Sequence, residues 1–248
     1  MVSTRSASAA LTPRAGNSPD LTPPMTGGPK TRSSRAVASA TKTSPQTFSH
    51  APQPIVLLWL AVSIPLILWD SAYVLLRPHS MPGGKLHKPI WSLYTIYARV
   101  DYMYGFPQWE ANNGFTAAQT TLNLIETVFL LAYAGLWYRH ARPTGNKIGE
   151  KVVSGRPAAL AVLLGFSACV MTLSKTVLYW LNEYFSGFGN IGHNSFVDLV
   201  VYWIIPNGLW LVFPTYILYQ LGSEILDGLA GKVPPPTPTT YADALKKE

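Results

Sequence analysis

The sequence predicts an all-α membrane protein: a bundle of four main transmembrane helices, with an interfacial helix as a fifth segment and disordered termini. Three observations predict it. Four apolar runs of about 20 residues lie between two polar ends, and a helix of that length crosses a hydrocarbon core about 30 Å thick. Charged residues make up 12% of the 248 and hydrophobic ones 48%, against roughly a quarter charged in ordinary soluble domains. The sole cysteine, Cys169, can form no internal disulfide and reads as a small apolar side chain in a helix, so burial and lipid hold the fold.

The elements follow in order. Residues 1–53 are rich in Ser, Thr, Ala and Pro and carry Arg5, Arg14, Lys30, Arg32, Arg35 and Lys42 against one acid, Asp20. With no apolar run they cannot bury a core and read as a disordered basic tail. The acid-poor composition also fits a transit peptide, but a cytosolic tail beside a membrane is the preferred reading. A transmembrane domain spans 54–222, beginning with "PIVLLWLAVSIPLILWDSAYVLL" from Pro54. The second run is Thr116 to Tyr138, the third Pro157 to Leu181 and the fourth Phe196 to Leu221. Pro65 and Pro206 fall inside the first and fourth, where neighbouring helices can satisfy the freed carbonyls of a kink. Between the first two runs, "KPIWSLYTIYARVDYMYG" repeats aromatic residues at spacings of three and four, as a short interfacial helix would, with Trp91 and Tyr94 as headgroup anchors. Residues 223–248, including "KVPPPTPTT", read as a polar Pro-rich tail.

Arg139, Arg142, Lys147, Lys151 and Arg156 crowd the second connection, while the third, Asn182 to Ser195, has no Lys or Arg. With the basic tail on the side of the second connection, both termini are expected in the cytoplasm. The net charge of +7 is not gathered on a motif with interleaved aromatics, so no nucleic-acid partner is expected.

Ionisable residues within such helices normally face the bundle interior. Three qualify: Asp70 in the first helix, Glu126 in the second and Lys175 in the third. Gln119, Thr120, Asn123 and Glu126 recur at helical spacing and form one inward stripe, and Asn207 and Trp210, three apart, share a face of the fourth helix. With Asp70, Tyr179 and Trp203 they would line one pocket, apolar and aromatic with two carboxyls and an amide, suited to a polycyclic lipid or hydrophobic amine. A buried neutral carboxyl can donate a proton at neutral pH. Moving a proton between two carbons shifts a double bond, through a carbocation that an indole face and a carboxylate would stabilise, with no metal, nucleotide or other cofactor. The structural alternative pairs Glu126 with Lys175 and leaves Asp70 to interfacial water or Arg77. His193, in "GFGNIGHNSF", falls in the third connection as a further candidate ligand contact.

Together these motifs resemble the EXPERA family of membrane proteins, which includes the emopamil-binding sterol Δ8-to-Δ7 isomerases and the sigma-2 receptor. The resemblance spans about Leu58 to Leu221. It is carried by "GHNSFVDLVVYWIIPNGLWLVFP" and "FTAAQTTLNLIET", with support from "IWSLYTIYARVDYMYG" and "TVLYWLNEYFSG". It implies that Glu126 matches a catalytic carboxylate, Asn207 a pocket amide and Trp210 a cation-stabilising indole, while Asp70 falls where the isomerase has a glutamate. Two positions depart from the pattern: Leu66 stands where the isomerase has a histidine, and Lys175 where it has a small residue. The implied activity is isomerisation of a sterol or terpenoid alkene in the endoplasmic reticulum. The alternatives are a non-catalytic sterol-binding or lipid-regulatory protein of the sigma-2 type and a terpenoid-rearranging enzyme of specialised metabolism. The expected partners are a sterol or other hydrophobic small molecule and membrane lipid, and a homodimer is compatible with the sequence.

Overall fold

The computed structural model describes residues 47–143 and 151–231. Most of the expected basic tail and residues 232–248 of the Pro-rich tail lie outside the described residues. A strand β1 (Ser49–His50) precedes α1 (Pro54–Leu75). Short helices α2 (Tyr94–Val100) and α3 (Phe106–Glu110) lead to α4 (Phe115–His140), then β2 (Arg142–Pro143), β3 (Lys151–Ser154) and α5 (Arg156–Phe185). Last, α6 (Phe196–Leu199) runs through a π-helical turn, Val200–Ile204, into α7 (Ile205–Leu229).

Four of these segments, α1, α4, α5 and the continuous Phe196–Leu229 stretch, are long and apolar enough to cross a membrane, making this an all-α membrane bundle. Even the shortest, the 22 residues of α1, is about 33 Å long at 1.5 Å per residue. Much of the apolar surface faces outward: Leu58, Val128, Leu163 and Val212 are all about half exposed or more, as lipid-facing side chains are.

Inside, α4 packs against both α1 and α5, and α5 against α7. The core joins Val56, Leu60 and Ile67 of α1, Leu130 and Tyr133 of α4, Ala161, Val162 and Ala168 of α5, and Ile217 and Leu221 of α7. Small residues on α5 set its closeness to its neighbours. At Gly165 a Cβ would lie 3.0 Å from both Leu221 Cδ1 and Tyr133 Cδ2, so α4 and α7 approach over bare backbone.

Two boundaries differ from the sequence expectation. The β1 strand pairs antiparallel with β3, Ser49 opposite Ser154 and His50 opposite Val153, and β3 pairs antiparallel with β2. The folded body therefore begins before residue 54, because Phe48 packs on the core and His50 is buried beneath the sheet. Its Nδ1 lies 2.6 Å from Glu224 Oε2 and its Nε2 2.8 Å from the Tyr133 hydroxyl. At the other end, α7 continues past residue 223 to Leu229, where Glu224 meets His50. A Ser/Thr/Pro-rich average conceals two residues that find partners far along the chain.

The segment between α1 and α4 also differs. Trp91 and Tyr94 are buried rather than spread at an interface. Trp91 Nε1 donates to the Trp69 carbonyl at 3.1 Å, and the Tyr94 ring stacks on Tyr73 at 3.6 Å. An indole N–H or a phenol with a partner inside has no need of headgroup water. The exposed apolar positions there include Ile90, Leu93, Ile96, Phe106 and Trp109.

Candidate functional site

Four helices and the segment after α1 enclose a cavity of about 410 Å³. Each wall comes from a helical stripe. Leu66, Ile67 and Asp70 come from α1, Gln119, Asn123 and Glu126 from α4, and Thr172, Lys175, Thr176 and Tyr179 from α5 at spacings of three and four. Asn207 and Trp210 come from α7, and Tyr94, Tyr97 and Tyr104 close the end nearest the loop.

The polar groups sit at two depths. Asp70 lies five residues before the end of α1, whereas Glu126 lies eleven residues into α4 from the same end of the bundle. At 1.5 Å per residue, Glu126 is about 9 Å deeper. At the shallow level the Tyr94 hydroxyl donates to Asp70 Oδ1. Arg77, which the structural alternative offered to Asp70, instead donates to the carbonyls of Val74 and Met103 and to Thr116 Oγ1 at 2.8 Å.

At the deep level Lys175 Nζ lies 2.7 Å from Glu126 Oε2 and donates to Asn123 Oδ1. Glu126 is 1% exposed, so its charge is compensated by that ammonium rather than by water. Gln119 Nε2 donates to the Lys175 carbonyl at 2.9 Å, fixing the register of α4 against α5. The pair foreseen as purely structural is thus real, and both its members line the cavity.

On α7, Pro206 lacks a backbone donor two residues after the π turn ends, and its ring would crowd the Tyr202 carbonyl. Asn207 Nδ2 donates to the Trp203 carbonyl at 2.9 Å, which supplies a bond inside this irregular stretch and orients the amide. Trp210 is held edge-on by Trp59, with ring centroids 4.9 Å apart, and Trp59 in turn stacks on Phe213 at 4.8 Å.

Of the nine candidate residues, seven border the cavity: Asp70, Gln119, Asn123, Glu126, Tyr179, Asn207 and Trp210. Trp203 and His193 do not. Trp203 is buried on the far side of Tyr179, where its Nε1 donates to Asp101 Oδ2 at 3.0 Å. His193 is exposed, stacked on Tyr102 at 3.9 Å, and its Nε2 donates to the Arg99 carbonyl at 2.7 Å, which places it in loop packing. Thr120, counted in the inward stripe, is buried but not on the cavity wall.

The sequence reading missed Tyr94, Tyr97 and Tyr104 as cavity residues, and Asp101 altogether as a polar centre. Asp101 is fully buried and accepts from the Tyr179 hydroxyl, Trp203 Nε1 and the Met103 backbone N–H, at 2.9 Å for the last. Burial is the largest influence on its carboxyl and pushes the pKa up to about 7, against the lowering effect of those donors. Burial likewise holds the phenols of Tyr94, Tyr97 and Tyr104 well above their ordinary range, so all three are neutral donors at physiological pH. Among the described residues no cluster of three His, Cys, Asp or Glu side chains could hold a metal ion.

In comparisons with protein-family models, curated proteins and solved structures, nothing matches the chain.

Proposed function

We propose that this chain is an intramembrane isomerase of the EXPERA type, moving a double bond in a sterol or related terpenoid by carboxyl acid–base chemistry. One observation carries the reading: Asp70 and Glu126, from different helices, border the same largely apolar, aromatic cavity, whose 410 Å³ is within the usual range for a small-molecule site. In this reading the two carboxyls share proton donation and abstraction, Asn207 orients the ligand, and Trp210 covers the face of the reacting carbons. Tyr94 holds Asp70 in place. The resemblance set out from the fourth-helix motif implies the endoplasmic reticulum, and the basic second connection supports cytoplasmic termini.

The test is direct. Purified full-length protein in detergent is given a Δ8-sterol and the products are read by mass spectrometry. Turnover that falls at least 100-fold in Glu126→Gln supports the assignment, since a positioned acid or base contributes about 10²–10⁴-fold. Equal turnover in the variant overturns it.

The Lys175–Glu126 contact favours a second reading, a non-catalytic binder of sterols or cationic amphiphiles, because a buried ion pair accounts for both residues as structure without any chemistry. It predicts saturable sterol binding without turnover.

A further inference from the structure

An ammonium fixed in the wall of a low-dielectric cavity has a definite effect on what chemistry can occur beside it. Protonating an isolated alkene would create a carbocation in the same space as the Lys175 charge, and like charges repel strongly where water is excluded. Developing negative charge would be stabilised instead. We infer that Lys175 and Glu126 form an enolising pair, and that the double bond moved in this cavity belongs to a β,γ-unsaturated ketone on a polycyclic skeleton. The inference rests on the isomerase reading and narrows its substrate class, with Glu126 alone moving the proton and Asp70 given to ligand binding.

The geometry matches that ligand. A carbonyl oxygen and the hydrogen on its α-carbon lie side by side, and Glu126 Oε2 and Lys175 Nζ present a base and a cationic donor 2.7 Å apart. Asn123 Oδ1 accepts from the ammonium and Gln119 braces the Lys175 backbone, so the donor is held before any ligand arrives. Asp70 and Tyr94, about 9 Å nearer the loop, are left for a polar group at the far end of the ligand.

The step balances without a co-reactant. Glu126 takes the α-proton, the C–H electron pair becomes the new C=C, and the carbonyl π pair moves onto oxygen, where Lys175 donates a hydrogen bond and keeps its proton. The dienolate then takes the proton back from Glu126 at the γ-carbon, the C=O re-forms, and the remaining C=C stands in conjugation with it. One C–H bond breaks, one forms, and nothing is oxidised or reduced. Negative charge passes from Glu126 to the ligand oxygen beside the same ammonium, so the net charge of the cavity never changes.

The probe is a steroid Δ5-3-ketone offered to the full-length protein in detergent, with the Δ8-sterol run in parallel. The conjugated ketone is read by its ultraviolet absorbance, and deuterium uptake from D₂O by mass spectrometry. Expected are conversion of the ketone in D₂O with little deuterium at the γ-carbon, because Glu126 returns the proton it took, and a kcat about 100-fold lower in Lys175→Met with KM little changed, as on loss of an oxyanion donor. Because Lys175→Met leaves Glu126 without its partner, the double variant Lys175→Met/Glu126→Gln, which carries neither charge, is included with a thermal unfolding curve; it is expected to fold and be inactive. Ketone conversion unaffected in Lys175→Met overturns the role of Lys175. Conversion of the Δ8-sterol but not the ketone overturns the inference and leaves the isomerase reading standing. Conversion of neither by folded protein overturns both.

Discussion

Glu126 and Lys175 carry opposite charges out of water together, and each has little else to compensate it. Removing one partner of a buried pair costs about 3 kcal/mol or more, chiefly through the charge left behind, whereas removing both can be nearly neutral. Glu126→Gln and Lys175→Met are each expected to lower stability by about 3 kcal/mol, and the double variant to recover most of the loss; thermal unfolding in detergent across the four proteins measures the coupling. Asp101 gives a second expectation. Its carboxyl rises from an ordinary 3.8 to about 7 on folding, so between those values the folded state holds a proton that the unfolded state has released. Stability therefore falls as pH rises from about 4 to about 7, and Asp101→Asn flattens that part of the curve. The charged residues of the spanning helices were legible in the sequence because a charge in an apolar run is conspicuous. Asp101 was not, because it sits among Tyr, Arg and Met in a loop, where a carboxylate is ordinary, and only the fold brings Tyr179 and Trp203 onto it.

Among the elements, the spanning helices were the most legible, since their length and hydropathy are set by the bilayer, and five of the seven cavity residues, Gln119, Asn123, Glu126, Asn207 and Trp210, followed from helical spacing. Trp203 was placed with the pocket residues from its position in the fourth run, but its indole is committed to Asp101 instead. The tyrosines that close the loop end of the cavity were misjudged for a different reason. Periodicity places Trp91 and Tyr94 on a face of a short helix, but it says nothing about whether lipid or protein covers that face. The strand β1 was invisible because two residues carry no pattern. What holds it is His50, with Tyr133 and Glu224 on its two ring nitrogens. In His50→Ala the strand is expected to detach, and amide exchange at Val153, its partner in β3, to quicken by about tenfold or more, as the loss of one to two hydrogen bonds at about 1 kcal/mol each implies.

For the whole molecule, the asymmetry of Lys and Arg between connections predicts a topology that single cysteines can test. Cys169 is buried and the sole native cysteine, so it should remain unlabelled. In sealed vesicles a membrane-impermeant maleimide is expected to reach Arg142→Cys and His193→Cys from opposite sides, and labelling of both from one side would contradict a fourfold crossing. The clasp at the sheet end also bears on biosynthesis. His50 leaves the ribosome before any spanning helix, yet its partner Glu224 is among the last residues of the folded body to emerge, and the strand that pairs with β1 follows two spanning helices later. The clasp on β1 is therefore complete only once α7 has been made and has carried Glu224 back to His50. A chain cut short before Glu224 would leave that latch undone, with the His50 ring held by Tyr133 alone.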